Sequence, residues 1–293
     1  MSEKNGAIVV GVDGSDDALN AARWAAAVAA EYQKPLHIVH AKPGLGHNMT
    51  DAVASMRAAL MSYQHECAEE FLRTAEETVR TQNPDLAVTT LSTDIPVNEV
   101  LIEAGKTAHM IVVGSSQVTP AGALFLGSTA LAVATHAACP VVAWRGSNIT
   151  PSDQPLVVGV DETHSSAAAL DAAFEFADRF DVKLAAVRSW SMRRSMAGRA
   201  IPFLVDWDAL EAFEWTQLTN EVDQHNQRHP DVDARCYIET AGPAAALVQQ
   251  IVVDDAQLVV VGSRGRNALT GTVLGSTSLN LLHHSPVPVM ICR

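Results

Sequence analysis

The stretch Leu258-Val-Val-Val-Gly262-Ser-Arg-Gly265-Arg-Asn-Ala-Leu-Thr-Gly-Thr-Val-Leu-Gly275-Ser276 decides how the chain is read. Four apolar residues running into Gly262 have the character of a strand buried on both faces, as in a parallel sheet. Leu274 to His284 contains no proline and has a serine near its start, which predicts a helix. The loop between them therefore joins the carboxyl end of a strand to the amino end of a helix. Glycines let a ligand approach the backbone closely, and the free N–H groups of a helix start favour negative charge. Phosphate is the guest that suits such a loop. The spacing, Gly-x2-Gly-x9-Gly-Ser, is neither the phosphate loop ending in Gly-Lys-Ser/Thr nor the Gly-x-Gly-x2-Gly of dinucleotide folds. Spacing alone leaves open that the glycines are only turn residues.

An internal repeat strengthens the reading. A step of 148 residues takes Leu258–Gly262 to Met110–Gly114 and Gly275-Ser276 to Gly127-Ser128. The same step takes Val158-Gly-Val-Asp161 to Val10-Gly-Val-Asp13 and Pro288-Val-Met to Pro140-Val-Val. Between these points the register slips, so that Pro243-Ala matches Pro96-Val, and is then restored. The chain is two copies of one unit.

Each copy resembles a universal stress protein domain. The resemblance rests on Val-Gly-Val-Asp after the first strand, Val39-His-Ala41 closing the second, Val-Val-Gly closing the fourth, the Gly-x2-Gly-x9-Gly-Ser loop, and Pro-Val-Val before the last strand. It spans nearly the whole chain in tandem, as domains 1–147 and 148–293. It implies two doubly wound, five-stranded parallel-sheet (Rossmann-like) domains with strand order 3-2-1-4-5, and a regulatory role in the stress response. It implies ATP with Mg²⁺ as ligand, held in the second copy by Asp161, Gly262, Arg264, Gly265, Arg266, Gly275 and Ser276. In the first copy the matching residues are Asp13, Ala41, Gly114, Gly127 and Ser128. No metal ligand is assigned. The glycine motif is broken in the first copy, where Gln117 stands in the place of Gly265, so the second copy is expected to bind more tightly.

In a doubly wound sheet ligands sit beyond the carboxyl ends of the strands where the winding reverses, here between strands one and four. Asp161 ends the first and Gly262 the fourth. Asp161 either meets the ribose, the base or a masking metal, or caps the following helix, as Thr163 and Ser165 also can. Arg264 and Arg266 either reach phosphate oxygens or point into solvent.

At 293 residues each half is long enough to bury a core. A hydrophobic fraction of 48% with 18% charged residues fits a soluble globular protein, and no apolar run approaches the roughly 18 residues of a membrane span. Met-Ser-Glu-Lys-Asn-Gly lacks the apolar core of a signal peptide, so a cytoplasmic location is expected. The net charge of −13 and the lack of a basic cluster argue against a nucleic-acid partner. Cys67, Cys139, Cys236 and Cys292 have no metal-knuckle or paired spacing and are read as buried reduced thiols.

Catalytic signatures are absent: there is no Gly-x-Ser-x-Gly, no His-Glu-x2-His and no phosphate-loop lysine. No catalytic residue is assigned. Any ATP hydrolysis would depend on positioning and a metal ion and would be slow. A nucleotide-independent interaction module of the same fold is the alternative. The expected elements run β-α-β-α-β-α-β-α-β in each copy, with Gly146 to Gln154 as linker. Helices are expected over Asp16–Tyr32, Asp51–Thr81, Val97–Thr107 and Leu126–Ala137, and a third strand over Leu86–Ser92. The insertion Ser189–Asp206, with Trp190, Met192, Met196 and Phe203, either forms a lid or covers the sheet or a partner subunit. Each copy ends in an apolar strand, Val141–Trp144 and Val287–Cys292, whose edge calls for a cover. The resemblance implies that fifth strands associate and that two chains pair as a homodimer; a protein partner is unknown.

Overall fold

The computed structural model describes residues 6–42, 54–115, 127–190, 206–263 and 273–293. The described residues up to Thr150 form one compact unit, and Pro151–Arg293 contribute to a second. In the first unit the elements are β1 (Ile8–Gly11), α1 (Asp16–Glu31), β2 (Leu36–Ala41), α2 (Ala54–Gln82), β3 (Val88–Thr93), α3 (Val97–Ala104), β4 (Met110–Gly114), α4 (Ser128–His136) and β5 (Val141–Trp144). In the second they are β6 (Leu156–Gly159), α5 (His164–Phe180), β7 (Leu184–Ser189), α6 (Trp207–Asn226), β8 (Ala234–Glu239), α7 (Pro243–Asp254), β9 (Leu258–Gly262), α8 (Ser276–His284) and β10 (Val289–Cys292).

Within the first unit the strands are parallel in the order β3-β2-β1-β4-β5, and within the second in the order β8-β7-β6-β9-β10. This is the doubly wound α/β fold read from the sequence. The winding reverses between β1 and β4, and between β6 and β9. Continuous apolar runs such as Ile8-Val-Val and Leu258-Val-Val-Val are buried because helices cover both faces of the sheet. Helix α1 shows how one helix seats: Ala18, Ala21, Ala22, Ala25 and Ala29 are all buried, and their small side chains let the helix lie close to the sheet.

Several boundaries differ from the sequence reading. Strand β3 begins at Val88, because the Leu86 N–H donates to the Asn83 carbonyl at 3.2 Å in a turn and the Ala87 carbonyl is the first to pair with β2, accepting from Leu36 N–H at 2.9 Å. Helix α3 stops at Ala104, with Gly105 as C-cap and Thr107 N–H donating to Ala104 O at 3.1 Å in a tighter turn. The expected starts of the second and fourth helices, Asp51 and Leu126, lie outside the described residues, as do Met192, Met196 and Phe203. Trp190 is buried and its backbone N–H donates to Glu239 O at 2.6 Å.

The end of the expected linker is tied into the second unit. Gln257 side-chain Nε2 donates to the carbonyls of Ser152, at 2.6 Å, and Gln154, while its Oε1 accepts from Ser152 N–H at 2.8 Å. All four cysteines are thiols. Cys139 and Cys292 are buried, but Cys67 and Cys236 are only half-buried, which corrects the reading of four buried thiols. No described helix is long and apolar enough to cross a membrane.

Candidate functional site

The turn after the first strand has one geometry in both units. Asp13 Oδ1 accepts from the Ser15 N–H at 3.0 Å and from the Ser15 hydroxyl at 2.6 Å. Asp161 Oδ1 accepts from the Thr163 N–H at 2.9 Å and the Thr163 hydroxyl at 2.5 Å. The helix cap is therefore not the aspartate. Ser15 caps α1 by accepting from Ala18 N–H at 3.2 Å, and Thr163 caps α5 by accepting from Ser166 N–H at 3.4 Å. The second unit adds a tether, in which Asp161 N–H donates to Ser166 Oγ at 2.9 Å. Asp13 is exposed and Asp161 half-buried.

Gly114 and Gly262 end the neighbouring strands. The β1–β4 pairing ends at Gly11 with Val113 and the β6–β9 pairing at Val158 with Val260, so Asp13 and Asp161 follow the strands that lie beside those leading into the glycine loops. A Cβ on Gly262 would lie 2.6 Å from Ser165 Oγ and 2.7 Å from Ser165 C. On Gly114 it would lie 3.3 Å from Ala18 N and Asp17 C. Both glycines thus let the first turn of α1 or α5 pass directly over the end of the strand. This packing role is separate from any contact with phosphate.

The far end of the motif behaves differently. Gly127 and Gly275 are the N-caps of α4 and α8, with φ of −59° and −62° and no side-chain cap. Backbone conformation does not require glycine at either position. A Cβ on Gly127 would meet nothing within 4 Å among the described residues. Ser128 and Ser276 are the first residues of their helices. In the second unit the two ends of the loop are drawn together. Gly275 N–H donates to Ser263 O at 2.8 Å, and the Ser278 hydroxyl donates to Gly262 O at 2.6 Å. Arg264, Gly265 and Arg266 lie outside the described residues, as does Gln117.

At the start of the corresponding loop in the first unit, Arg145 is buried and donates from Nε and Nη2 to Ser115 Oγ at 3.2 and 3.0 Å. Burial lowers the Arg145 guanidinium to about 10, so it still carries its charge at neutral pH.

The second strands end differently in the two units. Ala41 closes β2 opposite Thr93. Beside it, His40 is buried, with its Nδ1 2.8 Å from Val12 O and its ring edge-on to Phe71 at 5.4 Å. Gly14 lies under that Phe71 ring with φ +85°, and a Cβ there would come within 2.5 Å of it. In the second unit the place of His40 is taken by Arg188, which is completely buried. Its Nη2 donates to Glu221 Oε1 at 2.8 Å, and its Nη1 lies 3.5 Å from Glu214 Oε2.

Cys236 on β8 is affected by these charges. Burial, and then the Asp223 carboxylate, push its thiol up to about 11, with Arg188 opposing. Cys236 is therefore expected to alkylate more than about tenfold more slowly than a free cysteine near neutral pH, because the thiolate is the nucleophile. Peptide-level mass spectrometry of a timed alkylation checks this, and an ordinary rate would show that the thiol is not buried against Asp223.

Sequence offers Thr163 as a cap but not the hydrogen bonds that Ser15 and Thr163 donate to Asp13 and Asp161, nor does it single out Arg188. The first left a trace, since Asp-x-Ser and Asp-x-Thr follow the first strand in both copies. For Arg188 no local signal exists, because its partners lie 26 and 33 residues further on.

Known proteins match this arrangement over the whole chain. The universal stress protein family is matched twice, over residues 4–145 and 154–293. A universal stress protein of Mycolicibacterium smegmatis is 33% identical over 98% of this chain and 96% of its own length. One from Mycobacterium tuberculosis is 32% identical over 99% of this chain and 98% of its own. The crystal structure of a universal stress protein from Archaeoglobus fulgidus superposes with a TM-score of 0.70 at 18% identity, covering 100% of this chain and 99% of that one, which supports the fold. The chain belongs to the universal stress protein family, with two family domains in tandem.

Proposed function

We propose that the protein is an ATP-binding regulator of the stress response, with nucleotide held where the glycine loop meets the start of α8 and, more weakly, of α4. The observation that carries the proposal is Gly127. Serine caps a helix better than glycine does, yet glycine stands at this N-cap with a φ any residue adopts, and no atom of the described residues lies within 4 Å of where a Cβ would be. N–H groups left free at a helix start favour a phosphate. Gly275 has the same backbone and likewise no side-chain cap. Asp161 and Asp13, which follow the strands beside those leading into the loops, suit the uncharged ribose or base end of the ligand better than its phosphates.

ATP would bring Mg²⁺ with it. Among the described residues no group of three His, Cys, Asp or Glu side chains is placed to hold a metal, so the ion would be bound mainly by phosphate oxygens and water. No residue is assigned to hydrolysis. Pairing of two chains is proposed as the context in which nucleotide state is read out.

The loop itself supplies the test of inequality between the units. Gly265→Gln should weaken the tightest phase of ATP binding by about tenfold to a hundredfold, from a non-glycine residue at that position and crowding of the phosphates. Gln117→Gly should strengthen the weaker phase. Calorimetric titration of each variant measures both. A Gly265→Gln variant whose tightest phase is unchanged overturns the assignment of the second unit as principal site. If ATP-free protein shows no difference among the variants because none binds nucleotide, the interaction-module reading replaces this one.

A further inference from the structure

Helix α7 is apolar on every side. Its sequence, Pro243-Ala-Ala-Ala-Leu-Val-Gln-Gln-Ile-Val-Val-Asp254, holds no charged residue before the last. Ala246, Leu247, Gln250 and Ile251 are buried and seat the helix against β6 and β7. On the opposite side Ala245, Val248, Gln249 and Val252 follow one another at helical spacing. Val252 is 69% exposed and its neighbour Val253 68%. A helix with apolar residues all round is normally covered all round. Helix α8, packed beside α7, has no Asp, Glu, Lys or Arg either, and it exposes Leu279. In the first unit the helix at the same place in the fold, α3, exposes Glu99 and Glu103, and Lys106 pairs with Glu103 at 2.6 Å. The fold therefore does not itself require an uncharged surface here.

We propose that the outward face of α7 is where a second copy of this chain docks, α7 against α7 and antiparallel about a twofold axis. This rests on the pairing of two chains proposed above and names its surface. Charge selects the occupant. Each chain carries a net charge of −13, so two copies repel across charged surface and meet at least cost where neither is charged. The ends of the helix add an attraction. Gly242, the N-cap of α7, supplies no side-chain cap, which leaves the positive end of the helix to attract an anion. Asp255, exposed at the other end, accepts from Gln154 Nε2 through Oδ2 at 2.6 Å and has Oδ1 to offer. An antiparallel pair centred between Val248 and Gln249 sets Val252 against Ala245 of the partner subunit, large against small, and Asp255 against the partner's Gly242. A helix of 12 residues is about 18 Å long, so the interface is small and its affinity falls in the micromolar range.

Sedimentation equilibrium of the full chain is the test. Wild type should dimerise in the micromolar range. Val252→Glu puts a carboxylate into the apolar stripe and should raise the dissociation constant about tenfold or more. The melting point of the dilute, monomeric protein should hold, because the side chain is exposed; Val253→Glu is the second variant should Val252→Glu lower it. Ala245→Lys should also weaken pairing. A mixture of Val252→Glu and Ala245→Lys chains should associate more tightly than either alone, since opposite charges then face each other across the axis. Glutamate variants that dimerise as tightly as wild type overturn the proposal and leave pairing through another surface standing. A mixture no tighter than its components overturns the antiparallel arrangement. A wild type that stays monomeric throughout the micromolar range overturns this proposal and the pairing together.

Discussion

Replacing Arg188 with methionine should destabilise the protein by about 3 to 5 kcal/mol, the usual cost of leaving a buried charge without its partner. Arg188 is fully buried, the Glu214 side chain is 10% exposed and that of Glu221 32%. Glu214 therefore bears most of the effect, while Glu221 can turn to water. Two carboxylates around one guanidinium already leave net negative charge under α6, so losing the cation is worse than losing either anion. A variant that also carries Glu214→Leu and Glu221→Gln should recover most of the loss, because an apolar replacement for a buried ion cluster is often neutral or better. The first unit shows that the fold tolerates this: His40 occupies the position of Arg188, against the ring of Phe71. Chemical denaturation of the full chain measures both variants. A loss below about 1 kcal/mol in Arg188→Met would show that water reaches the guanidinium.

The second large effect separates the two kinds of glycine in the loop motif. Gly262→Ala places a methyl 2.6 Å from Ser165 Oγ and 2.7 to 2.8 Å from Ser165 backbone atoms. The start of α5 must move, at a cost of about 1 to 3 kcal/mol. Gly127→Ser should do the opposite. Its backbone, φ −59° and ψ 139°, accepts any residue, no atom lies within 4 Å of the new Cβ among the described residues, and serine adds a cap. Stability should hold or rise by a few tenths of a kcal/mol, while ATP binding in the first unit weakens, because the hydroxyl takes up an N–H that phosphate needs. Thermal melts with and without ATP read out both. A Gly127→Ser protein that binds ATP as well as wild type would remove the argument drawn from that position.

These two glycines also show how far the sequence could be read. The strands were legible because short apolar runs ending in glycine have few alternatives in a twice-repeated chain, and the common step of 148 residues set both units in register. One role of Gly262 was not legible: sequence assigns it to the phosphate loop, and the structure adds that the first turn of α5 crosses it. That contact joins residues nearly a hundred positions apart and leaves no local pattern. Arg188 was hidden for a related reason. In the run Leu184-Ala-Ala-Val-Arg-Ser189 an arginine near a strand end reads as solvent-facing, and only the packing of α6 buries it. The Asp-x-Ser/Thr turn lay in plain view, but which of its side chains caps the helix is a matter of hydrogen-bond direction, which spacing does not encode.

Direct titration of nucleotide tests the central claim, that the glycine loops at the starts of α8 and α4 bind ATP. Protein stripped of nucleotide by denaturation and refolding, with the extract run on a nucleotide-resolving column, is titrated with Mg-ATP in a calorimeter. Binding in the micromolar range is expected, corresponding to about 8 kcal/mol, with an accompanying rise in melting temperature. No heat and no thermal shift with ATP, ADP or AMP, from protein whose extract holds no nucleotide, would contradict it.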